Sequence, residues 1–119
     1  MVRKISGGKY IPLRKKKLSE RPGTPRMTSL GKDKKKEVRM RGGKGKTALL
    51  STDIAYVVDP KTNKTTKTKI KSVVRSPANR YFKNVMVKGT LIETELGRAK
   101  VTNRPGQHGS VSAILTQEQ

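Results

Sequence analysis

The chain has no cysteine and no tryptophan, and only one phenylalanine and three tyrosines among its 119 residues. Without thiols it can form no disulfide, no iron–sulfur cluster and no cysteine nucleophile. A single histidine, His108, leaves no cysteine/histidine zinc set either. Acids are scarce too, 8 against 29 lysines and arginines, which gives a formal net charge of +21. Apolar residues make up only 31% of the chain, enough for one small core. Long apolar runs are missing, so neither a signal-peptide core nor a spanning helix is predicted, and the expected location is the cytoplasm. No window sets an apolar face opposite the lysines, which argues against a membrane-surface helix. A charge this lopsided calls for a polyanion, and with the membrane set aside nucleic acid remains.

The cations are not spread evenly. Met1 to Lys46 holds 17 basic and 3 acidic residues, net +14, whereas Thr47 to Gln119 holds 12 and 5, net +7. The first part, with SGGKYIPLRKKK, RPGTPR and GKDKKKE, mixes like charges with glycine and proline and has few large apolar residues. It cannot fold around a core alone and is predicted to be an extended arm ordered by its partner. From Glu37 onward, short runs rich in Val, Ile, Thr and Leu alternate with turn residues, as strands of a β domain do. The runs are EVRMR, ALLSTDIAYVV, TTKTKIKSVVR, NVMVKGTLIETEL, RAKVTN and SVSAIL.

Leu50, Thr52, Ile54, Tyr56 and Val58 form a mostly apolar side, and Ile92, Thr94 and Leu96 alternate with Glu93 and Glu95. That period of two belongs to half-buried strands and not to helices. DPKTNK suits a tight reversal between the second and third runs. SPANRYF, with Ser76 as cap and Pro77 at the first helical position, predicts at most one helical turn. The expected fold is therefore mainly β: a small barrel-like antiparallel β domain over 37–119 behind a long, basic, extended N-terminal arm over 1–36.

RGGKGKTALL, Arg41 to Leu50, tests whether the protein handles nucleotides. A phosphate loop needs glycine four residues before its Gly-Lys-Thr triplet and a helix after it. Here Met40 stands at the glycine position, and the following residues alternate as a strand. GKGKTA fits a relaxed dinucleotide pattern but lacks the βαβ unit that gives that pattern meaning. No cofactor and no small-molecule substrate are therefore expected. What remains is a loop whose glycines permit close approach and whose Arg39, Arg41, Lys44 and Lys46 can face a phosphate backbone. An ordinary hairpin with a solvated charged face is the alternative.

Three other places carry side chains of possible chemical use. His108 sits in NRPGQHG with no carboxylate or serine beside it, which is poor support for a catalytic base. With Arg104 it is read either as an RNA contact in a flexible loop or as a bystander. Tyr10, between Lys9 and the Arg14–Lys17 run, can stack on an unpaired base, whereas Tyr56, Tyr81 and Phe82 are read as core. Glu93 and Glu95, two apart on a strand, share an outer face and serve solubility rather than catalysis.

Six blocks in order resemble a known family. SGGKYIPLRKKK is similar to the N-terminal Ser/Thr-Gly-Gly signature of the eukaryotic and archaeal type of small-subunit ribosomal protein eight, and VRMRGGKGKTALL to its strand and turn. VVDPKTNK, SPANRYF, KGTLIETELGRAKV and NRPGQHG resemble further blocks of it. The direct passage from GTLIETELGRAKV to the Arg-Pro-Gly loop resembles the short archaeal form. The resemblance implies a non-enzymatic constituent of the small ribosomal subunit, in contact with ribosomal RNA and neighbouring ribosomal proteins. The expected RNA-binding residues are Arg3, Lys4, Lys9, Tyr10, Arg14, Lys15, Lys16, Lys17, Arg21 and Arg26 in the arm, then Arg39, Arg41, Lys44, Lys46, Arg80, Arg104 and His108. A free single-strand-binding or RNA chaperone module of the small-barrel class is the other reading, weakened by the few aromatics available for stacking.

Overall fold

Turn residues punctuate the apolar runs so often that no strand exceeds eleven residues in the computed structural model, which describes residues 2–11, 14–78 and 84–116. The strands are β1 (Thr28–Leu30), β2 (Lys34–Arg39), β3 (Gly45–Thr52), β4 (Ile54–Val58), β5 (Thr65–Arg75), β6 (Val85–Met86), β7 (Leu91–Thr94), β8 (Gly97–Val101) and β9 (Ser112–Leu115). One helical turn, α1 (Pro105–His108), stands between β8 and β9.

Five strands close a barrel in the order β4-β5-β7-β8-β9. Its neighbours are antiparallel except at the closure, where β9 lies parallel to β4 with Tyr56 opposite Ser112 and Val58 opposite Ile114. The expected DPKTNK reversal joins β4 to β5: Asp59 accepts from the backbone N–H of Lys61 at 3.0 Å and from the Thr62 hydroxyl at 3.0 Å. The remaining strands form a second sheet, β2-β3-β1-β6, in which β1 runs parallel to β3. ALLSTDIAYVV is thus two strands, not one. The chain leaves the second sheet at Thr52 and enters the barrel at Ile54, with Asp53 as the corner. NVMVKGTLIETEL divides likewise into β6 and β7. The second sheet also takes in β1 and the first half of β2, both from the stretch 1–36.

The core is made of Leu49, Ala55, Val57, Ile70, Met86, Ile92, Ala99, Val101, Val111 and Ala113, mostly small side chains suited to a narrow barrel. Threonines complete it. Buried Thr28 donates to the Leu49 carbonyl at 2.9 Å, Thr94 donates to that of Gly97 at 2.8 Å, and Thr90 accepts from the Val87 N–H at 2.9 Å. Among the described residues no buried side-chain polar atom lacks a partner.

Two expectations about faces are corrected. In β4 it is Ala55 and Val57 that point inward, and Tyr56, expected in the core, is 42% exposed. Both sides of that strand are apolar, so alternation could not choose between them, and the narrow interior takes the smaller residues. Leu96, expected on the buried side with Ile92 and Thr94, is 51% exposed because it sits in the tight turn between β7 and β8. Tyr81, Phe82 and the helical turn expected in SPANRYF lie outside the described residues beyond Ala78. Up to there, Ser76 accepts from the Ala78 N–H at 3.4 Å.

Every described residue from Val2 to Arg26 is exposed. The radius of gyration, 18.8 Å, exceeds the roughly 13–14 Å expected of a compact chain this long, which is the signature of a projecting segment.

Truncating Ile92→Ala, at 0% exposure, should cost about 2–5 kcal/mol in urea unfolding. Leu96→Ala should stay within about 0.5 kcal/mol of the parent chain.

Candidate nucleic-acid interface

The arm has little apolar surface, yet local hydrogen bonds shape it. Around SGG, Arg3 and Lys9 pair as an isolated antiparallel bridge, the Lys4 N–H donates to Gly8 at 3.0 Å, and the Arg3 guanidinium donates to the Gly7 carbonyl at 3.1 Å. This small loop holds the Lys4 ammonium 5.7 Å from the centre of the Tyr10 ring, a cation–π spacing, with Tyr10 61% exposed. Lys15, Lys16, Lys17 and Arg21 are exposed as well.

Arg14 is paired within the arm itself. Its guanidinium grips Glu20 through two bonds, 2.8 and 2.7 Å, and Glu20 also accepts from the Lys17 N–H at 3.1 Å. The bond to Arg14, helped by that N–H, holds the Glu20 carboxyl below its ordinary range, and the same pair raises Arg14. The one acid between Val2 and Arg26 thus folds a cation back onto a short turn at Leu18–Glu20.

The RGGKG segment closes β2 onto β3. Arg39 pairs with Gly45, the Met40 N–H donates to Lys44 at 2.7 Å, and Gly42 and Gly43 take φ of 76° and 77°. Two consecutive left-handed residues explain the double glycine, since side chains there would be strained. The loop is a hairpin that opens into a strand, so no helix N-terminus faces it. Arg39, Arg41 and Lys44 are exposed and Lys46 is half-buried.

NRPGQHG is not a flexible loop. Pro105 starts a helical turn, and Gly109 ends it in the left-handed conformation, φ 74°. His108 is exposed, its Nδ1 donating to the Arg104 carbonyl at 3.1 Å. The turn packs on the start of β3: the Lys46 ammonium donates to the Gln107 side-chain oxygen, and Gly109 sits so close to Thr47 that a Cβ there would come within 3.1 Å. Gly106 meets the end of the arm, where a Cβ would stand 3.0 Å from the Arg26 carbonyl.

Three segments far apart in sequence therefore meet: the arm's root at Arg26, the hairpin at Lys46 and the turn at Arg104–His108. Between the arm's root, the turn and the chain just after β6 opens a cleft of about 340 Å³ with Arg26, Lys88 and Arg104 around an apolar floor of Met86 and Val87. Sequence reading missed Lys88, because only the fold brings it beside the two arginines. It missed Lys67, Lys69 and Lys71 too, although their spacing of two along TTKTKIK was a legible sign of one strand face. Arg80 lies outside the described residues. Among the described residues no group of His, Asp and Glu could hold a metal.

Residues 1–116 match the family model described as ribosomal protein S8e. The chain belongs to this family. It is 48% identical to small ribosomal subunit protein eS8 of Methanococcus aeolicus over 98% of this chain and 93% of that one. It is 45% identical to the protein of that name from Sulfolobus acidocaldarius, over 98% and 93%, and 43% identical to that from Picrophilus torridus, over 96% and 93%. These are archaeal proteins of this chain's length class, as the short form predicts. Ribosomal protein S8e is a family of structural components, not enzymes.

Replacing Gly109→Ala should cost about 1–3 kcal/mol, read as a lowered unfolding midpoint, because it adds a Cβ both at positive φ and against Thr47. A carbon-detected titration of Glu20 should place its midpoint below that of a free glutamate. The Arg14 contact is then fully present above the ordinary glutamate range and is lost as pH falls through the lowered value.

Proposed function

We propose that this chain is a structural constituent of the small ribosomal subunit, which binds and stabilises ribosomal RNA and meets neighbouring ribosomal proteins on the cytoplasmic ribosome. Membership of the ribosomal protein S8e family over nearly the whole chain carries this reading. Its physical counterpart is the placement of the cations: every described lysine and arginine is exposed except half-buried Lys46.

The mechanism is electrostatic. A lysine or arginine seated on a phosphate releases condensed counterion, so affinity falls with salt by a logarithmic slope of roughly 0.7–0.9 per contact. In the arm, Arg3, Lys4, Lys9, Lys15, Lys16, Lys17, Arg21 and Arg26 meet phosphates, Tyr10 stacks on a base, and Arg14 holds the turn. Arg39, Arg41, Lys44, Lys46, Arg104 and His108 then orient the folded body on the same RNA, with Arg80 assigned there from the sequence alone. The arm follows grooves because glycine and proline keep it from coiling into a helix.

The arm is best removed at Arg26, ahead of β1, since a cut at Lys36 would also take a strand from the middle of the second sheet. Loss of residues 2–26 should leave a folded body and lower the salt slope for ribosomal RNA by roughly 6 to 7, that of eight contacts. Arg41→Ala should lower it by about one at most. Unchanged affinity after truncation would refute the arm's role. A gradient of native lysate tests the wider reading: the chain should sediment with the small subunit and stay there through a high-salt wash. Recovery at the top of the gradient would instead indicate a free RNA-binding protein.

A further inference from the structure

We propose that the outer face of β4 and β5 is a second RNA contact, in which an unpaired base stacks on Tyr56 while flanking phosphates sit on Lys67, Lys69 and Lys71. The proposal rests on the ribosomal RNA reading and extends it to a surface on the opposite logic from the arm: a rigid sheet face.

Register puts these residues together. Tyr56 lies directly opposite Lys67 and Ile54 opposite Lys69, and residues opposite one another in a ladder share a face. Thr68 and Ile70 are buried inward, so Lys67, Lys69 and Lys71 point outward, and all three are exposed. At two residues apart their Cα atoms are roughly 7 Å from one another, a spacing comparable to that of successive phosphates along an extended strand. No acid interrupts β5 from Thr65 to Arg75.

The ring is the second observation. In a chain with four aromatics, the narrow barrel keeps Tyr56 on its outside, 42% exposed. Beside it lies a cleft of about 170 Å³ between the barrel and the second sheet, with Lys67 on one wall, Lys35 on the other, and Ile54 and Val111 beneath. Asp33, the acid in this cleft, is engaged by Lys35 at 3.5 Å. The volume is below the roughly 300 Å³ of enclosed small-molecule sites, which suits a flat ring entering from one side. An acidic protein segment would satisfy the lysines but leave the ring face without a stacking partner. An exposed aromatic flanked by cations on a sheet matches the chemistry of unpaired nucleotides.

The test uses the full chain and a small-subunit ribosomal RNA transcript carrying 4-thiouridine. Near-ultraviolet light should cross-link RNA to Tyr56 in the unmutated chain. Tyr56→Leu should weaken binding about fivefold or more, Tyr56→Phe should retain it, and all should share one unfolding midpoint. Changing Lys67, Lys69 and Lys71 together to alanine should lower the salt slope by roughly two. Affinity and slope equal to the parent in both Tyr56→Leu and the triple variant, with the arm truncation still weakened, would overturn this face and leave the arm intact. Cross-links from this face only to protein in whole subunits would also overturn it. Absence of binding by the parent chain would remove the ribosomal RNA reading and this proposal together.

Discussion

Twenty-nine cations and eight acids cannot neutralise one another, and this constraint governs the rest of the structure. An unpaired lysine in an apolar interior is so costly that it must stay in water, yet four of the nine described strands carry at least one. A β-strand resolves the conflict, because successive side chains alternate between faces and a cation can follow a core residue without entering the core. β5 shows it residue by residue, with Thr68 and Ile70 inside and Lys67, Lys69 and Lys71 outside. A helix of the same composition would need a continuous apolar stripe that this sequence does not hold.

Scarcity of large apolar residues then shapes the interior. Five short strands closed on themselves need only a narrow filling, which alanine, valine and threonine supply. Threonine serves because its hydroxyl bonds to nearby backbone, so a β-branched side chain is buried without an orphaned polar atom. Closure also removes the edges along which an open sheet would stack against another copy. The parallel β4–β9 pair makes that closure, and α1 lies immediately before β9, so the ring and the Arg104–His108 turn are positioned by the same stretch of chain.

These features were unequally legible in the sequence. The β4–β5 hairpin was readable because Asp59 begins a turn whose hydrogen bonds are local, and Ile92 and Thr94 because their neighbours are charged. The failed phosphate-loop pattern was readable from Met40 and from the alternation after Thr47. β1 was not, since three residues have no measurable period and its parallel partner lies more than twenty residues away. The orientation of Tyr56 was hidden because both faces of β4 are apolar, and only the barrel's width decides between them. The Arg14–Glu20 pair was hidden for another reason: Glu20, six residues on, reads as one more surface charge until a turn brings it back.

The same physics separates the two parts that the proposed function sets against RNA. An arm without a core gains shape only from short-range bonds such as those around Gly7 and Glu20, so ordering it on a partner costs conformational entropy. The body has its cations placed in advance: Lys46 is tied to Gln107, Gly109 seats on Thr47, and Gly106 lies against Arg26. That last close approach fixes where the arm leaves the body, so on the proposed function a docked body confines the arm's root to one path along the RNA. On the proposed function, docking of the body and threading of the arm are linked through this close packing of Gly106 on Arg26.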